Sequence, residues 1–226
     1  MAHLVPMLWS FGAGGTVAGP VGLFGTTLHE IGHALAGVVF GLGVDRMVVR
    51  SDGSGTTYLS GFGDDTAELA VGSAGYLGML AFAALFLLVG RWPGAARVTF
   101  VVVGSLLVLA ALLWMDGAFS FLVPVVLGAA CITVAFVVPD HVVTICATVL
   151  GAVLAFSGLS DIGSINDANV DALHTEHASG LGLGGVRLVW IVAGLLIVGG
   201  ALAARFLIHR GPPTPRVERA DGGTVE

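Results

Sequence analysis

The chain has no lysine, and nine arginines supply all of its fixed positive charge. Charged residues of both signs make up only 11% of its 226 positions. An ordinary water-facing domain carries roughly 25%, so this scarcity excludes a conventional soluble surface. The net charge is −6, and no arginines gather into a basic patch, which argues against nucleic acid as a partner. Cysteine is as scarce. Cys131 and Cys146 both sit in apolar runs without metal-ligand spacing, so they read as small buried hydrophobes and exclude a disulfide framework. The start also lacks the positive n-region of a cleavable signal peptide, so its apolar stretch is expected to stay in the membrane.

What is present in quantity is apolar. Hydrophobic residues make up 56% and mean hydropathy is +0.96. The fold class this predicts is an all-α polytopic membrane protein with about six transmembrane helices. Apolar runs extend over about 17–42, 67–88, 98–115, 119–138, 142–159 and 186–208, and 4–18 is either a further short span or an irregular lead-in. Between the first two long runs, Val44 to Arg50 looks extended, Asp52-Gly53 marks a tight turn, and Thr56 to Leu59 can return. A small β-hairpin at about 44–60 is therefore expected, either a plain connector or a free edge that pairs with an extended substrate segment. One transmembrane domain over 1–210 and a disordered polar tail over 211–226 complete the expected organisation. Arginine counts place the C-terminus on the cytoplasmic side.

Within the first long run stands His29-Glu30-Ile31-Gly32-His33. Residues four apart on a helix lie one turn apart and about 40° apart in azimuth, so both imidazoles can address one metal ion. Glu30 lies about 100° around from His29, where it can act on a water without being a ligand. The composition gives this pattern by chance about 0.5% of the time. A carboxylate at membrane depth costs about 2.5 kcal/mol or more, which marks such a cluster as functional. Zinc is the cofactor this pattern fits, with His29 and His33 as metal ligands and Glu30 as the catalytic base.

A catalytic zinc needs a third protein ligand. Asp161 is the first choice, because it follows an uninterrupted apolar helix and sits among small residues. Asp167 and Asp171 lie farther into a polar stretch read as a loop. His174 and His177, three apart, are read as solvated loop residues.

These residues resemble the site-2-protease-type intramembrane zinc metalloproteases, most closely the compact bacterial M50B-like branch of the M50 peptidases. The resemblance rests on His29-Glu30-Ile31-Gly32-His33-Ala34-Leu35, on Ser51 to Thr56, on Ser73-Ala74-Gly75-Tyr76-Leu77-Gly78 and on Leu159-Ser160-Asp161. It implies a multi-pass protein of a bacterial plasma membrane that hydrolyses peptide bonds of membrane-protein or peptide substrates within the bilayer. It also implies zinc on His29, His33 and a late aspartate, with Glu30 as base. That family carries the aspartate in an Asn-Pro-Asp-Gly or Leu-Asp-Gly context, from which Leu159-Ser160-Asp161-Ile162-Gly163 departs. A metal site used for structure, metal handling or partner binding is the alternative, but neither use needs a carboxylate base beside the ligands.

Overall fold

A computed structural model describes residues 19–62 and 64–208. The expected segment at 4–18 and the tail at 211–226 lie outside the described residues. The elements, in chain order, are α1 (Pro20–Val39), β1 (Gly43–Val49), β2 (Gly55–Ser60), α2 (Asp65–Val89), α3 (Pro93–Trp114), α4 (Ala118–Val137), α5 (Asp140–Ser164), α6 (Val170–Ser179) and α7 (Leu183–Leu207). Five of these, α2, α3, α4, α5 and α7, are long and apolar enough to cross a membrane. At 1.5 Å per residue, 25 residues reach about 37 Å, enough for a bilayer core of about 30 Å. The all-α polytopic expectation holds. The motif helix α1 is not among the five, because His29, Glu30, His33 and four glycines dilute the apolarity of its 20 residues.

The side chains sort as a bilayer requires. Val98, Leu112, Phe136, Val137, Leu188 and Leu196 all point outward, each more than half exposed. Outward apolar side chains in this number would be an aggregation liability in water and suit a lipid-facing surface in a membrane. The interior is built around α2, which packs against α1, α5, α6 and α7. Its Tyr76, Met79, Leu80, Ala83, Phe86 and Leu87 are buried. Helices α3 and α4 form a pair of their own, closely approached where Gly104 meets the Gly128 carbonyl.

The hairpin is a two-stranded antiparallel sheet pairing Val48 with Thr56 and Met47 with Thr57. It runs beside α1, with Gly53 meeting Thr26 and Leu59 meeting Gly37, and is also fastened by α3 and α4. Asp116 N donates to Met47 O at 2.9 Å. The buried Ser120 Oγ accepts from Val49 N at 3.1 Å and donates to Val49 O at 3.0 Å. Those bonds occupy the outer edge of β1. In an antiparallel ladder the non-bonded partners of Met47 and Val49 direct their own backbone groups the opposite way. The unpaired edge therefore belongs to β2, at Gly55 and Thr57.

The polar stretch read as a loop is structured differently. Helix α5 continues past Leu159 to Ser164, and a separate ten-residue helix, α6, follows. Its start is set by Asn169, whose side chain accepts from Ala172 N at 2.9 Å. An Asn cap of this kind satisfies a donor that would otherwise be orphaned. The inner face of α6, Ala172 and Thr175, packs on α2 beside Gly72.

Candidate metal centre

Helix α1 is buried over Thr27, Leu28 and Glu30 to Ala34, so its motif faces protein. His29 Nε2 and His33 Nε2 stand 3.0 Å apart. The tautomer of His33 follows from its other nitrogen. His33 Nδ1 lies 2.7 Å from the Val71 carbonyl, which can only accept, so Nδ1 carries the proton and Nε2 is left to ligate. The His29 ring is held edge-on by Tyr76, with centroids 4.5 Å apart, and Tyr76 stacks in turn on Trp190 at 5.1 Å.

The carboxylate that joins them comes from α6. Asp171 Oδ2 lies 3.1 Å from His29 Nε2 and 3.4 Å from His33 Nε2. Among the described residues, His29, His33 and Asp171 form the one group of three donors close enough to share a metal ion, with ligand atoms within 4.8 Å of one another. Asp171 Oδ2 thus stands as a third donor atom beside the two imidazoles, and a carboxylate ligates as the anion.

The first choice of third ligand is not brought into this group. Asp161 lines the same cavity within electrostatic reach of His29, yet it is not in the ligand group. The reason is the length of α5, which carries Asp161 along the cavity wall while α6 folds back over the histidines. Asp167 and His177 are exposed and outside the cavity lining, and His174 pairs with Glu68 at 2.7 Å. A signal for Asp171 was present in the sequence. Asn169-Val170-Asp171-Ala172 keeps the Asn-x-Asp spacing of the Asn-Pro-Asp-Gly context, and Asn169 Nδ2 donates to the Tyr76 hydroxyl at 2.8 Å.

Two glycines make room for these groups. A Cβ at Gly75 on α2 would overlap both His29 Nε2 and His33 Nε2, and one at Gly55 on β2 would overlap Glu30 Oε1. Glu30 is 4% exposed, and Thr57 Oγ1 donates to its Oε2 at 2.6 Å. One carboxylate oxygen is thereby fixed, and the other lies against Gly55. That cavity measures about 970 Å³ and is lined by the motif residues, β2 from Gly55 to Leu59, α6 and the end of α5.

The donor set fits zinc on grounds of chemistry: two neutral imidazole nitrogens and one carboxylate oxygen leave a fourth tetrahedral position open. A family model described as Peptidase M50B-like matches residues 1–204. No curated protein and no solved structure matches the chain.

Proposed function

The chain belongs to the Peptidase M50B-like family, and on that premise we propose that it is a zinc-dependent intramembrane endopeptidase. The observation that carries this reading is the convergence of His29, His33 and Asp171 with a separate buried carboxylate, Glu30, on one cavity. A metal site used only for structure or transport has no need of that fourth group. Its natural setting is a multi-pass position in a bacterial plasma membrane.

His29 Nε2, His33 Nε2 and Asp171 Oδ2 are the atoms that would hold zinc. Zinc bound there supplies a Lewis acid that polarises a carbonyl and lowers the pKa of water toward about 7. Glu30 does the proton work. Thr57 Oγ1 restrains Oε2, so Oε1 takes the proton from the attacking water and passes it to the leaving amine nitrogen. Hydrolysis consumes water, and the polar lining of the cavity lets water reach a site that lies among apolar helices.

The substrate is a membrane-protein segment, unwound locally because a helical carbonyl is already hydrogen-bonded and shielded. The outward N–H and C=O of Thr57 on β2 offer an unwound segment a strand to pair with, and that strand borders the cavity.

The test is to purify the protein in detergent and measure zinc and cleavage together. Glu30→Gln is expected to keep zinc and lose about 10²-fold or more of the cleavage rate, while Asp171→Ala loses both. Full cleavage by Glu30→Gln would refute the mechanism.

A further inference from the structure

The cavity is lined by five carboxylates and by no arginine. Four of the five are engaged. Glu30 accepts from Thr57, Asp171 meets His29 and His33, Glu68 pairs with His174, and Asp52 accepts from Ser54. The fifth is Asp161. Its backbone carbonyl accepts from Ser164 Oγ, but its carboxylate has no hydrogen-bond or ion-pair partner among the described residues. One turn earlier on the same face of α5 is Ser157, also in the cavity lining. Ser157 is only 7% exposed, and its Oγ is buried without a hydrogen-bond partner. A buried hydroxyl without a partner costs roughly what a lost hydrogen bond does, and this one lies one helical turn from a carboxylate without a partner.

We propose that Ser157 and Asp161 form a subsite for a cationic side chain, lysine or arginine, of the polypeptide held in the cavity. An ammonium or guanidinium brings several N–H donors and one positive charge. Asp161 answers the charge, and Ser157 Oγ accepts a further N–H. Asp161 and the metal ligands line one cavity, so the preferred basic residue lies within a few positions of the scissile bond. A membrane-spanning segment commonly carries such a residue at its boundary with water. The subsite rests on the proposed proteolytic reading for its role in catalysis, but not for its binding preference.

Two measurements separate these. First, the silent Glu30→Gln protein is titrated with fluorescent, N-acetylated apolar decapeptides that carry one central lysine or one central norleucine. The lysine peptide is expected to bind at least about tenfold tighter, as befits hydrogen bonds to a charged group. Adding Asp161→Asn or Ser157→Ala should bring the ratio toward one for the first and part of the way for the second, with zinc content unchanged in both. A norleucine peptide with a free amino terminus serves as a third arm, and tight binding of it in place of the lysine peptide overturns the side-chain assignment. Equal or undetectable binding of both acetylated peptides overturns the subsite, as does loss of zinc in Asp161→Asn, which would make Asp161 a ligand. Second, wild-type protein is given a mixture of unrelated peptides and its cleavage sites are read by mass spectrometry. Lysine and arginine should be enriched at one position near the cut, and the enrichment should vanish in Asp161→Asn; enrichment that persists there refutes the subsite. Cleavage indifferent to Glu30→Gln would sink the proteolytic reading alone and leave the binding ratio to judge the subsite.

Discussion

Replacing Gly75 with alanine sets two effects of opposite sign against each other. In a plain helix interior, glycine to alanine stabilises by about 1 kcal/mol through backbone entropy. At this position the added methyl would sit roughly an ångström inside ordinary van der Waals contact with both His29 Nε2 and His33 Nε2. Neither imidazole can yield freely. His33 is tied to the Val71 carbonyl at 2.7 Å, and His29 is backed by Tyr76. Overpacking of this kind costs about 1–3 kcal/mol, which cancels or exceeds the propensity gain. The metal is more sensitive still. Ligand distances in a zinc site tolerate about 0.2 Å, so displacing two of three donors should weaken zinc binding by about 100-fold or more. Chelator competition on the purified protein, with zinc read by atomic absorption, measures that affinity, and thermal unfolding read by circular dichroism measures stability. A Gly75→Ala protein that keeps wild-type zinc affinity and gains stability would refute the packing of α2 against the two histidines.

Asn169→Ala removes both the cap of α6 and the bond to Tyr76, so α6 should lose about 1 kcal/mol and zinc affinity should fall in the same chelator titration while Glu30 stays in place. Thr57→Val breaks the bond to Glu30 Oε2 but keeps the strand N–H, whereas Thr57→Pro removes both; a further tenfold or so loss of cleavage in the proline variant, with zinc unchanged, is the mark of pairing along β2. Zinc at about 1,000 times its dissociation constant should stabilise the folded protein by about 4 kcal/mol, so chelation should lower the midpoint of thermal unfolding, and Asp171→Ala protein should show no such response.

The sequence made the fold class legible because the signals that carry it are local. Charge scarcity and long apolar runs need no tertiary knowledge to be read, and five of the expected spans lie where those runs lie, with ends shifted by a few residues. The hairpin was legible for the same reason: an alternating run, Asp52-Gly53 and a second run specify it within 17 residues. Helix α6 was not, since ten residues of mixed polarity such as Val170 to Ser179 gain helicity mainly from the Asn169 cap and from packing Ala172 and Thr175 on α2.

By itself the sequence determined the motif helix, the spacing that turns His29 and His33 to one side, the position of Glu30 beside them and the long apolar runs around the motif. Only the tertiary structure decided which aspartate faces the histidines. Asp161 and Asp171 are ten residues apart, and their sequence contexts gave conflicting signals: an apolar helix before one, Asn169 two residues before the other. The choice between them depends on where α5 ends and how α6 folds back, which is set by contacts with α2 more than 90 residues away in the chain. The same return of the chain left Asp161 facing the cavity without a partner, a fact that no periodicity in the sequence contains.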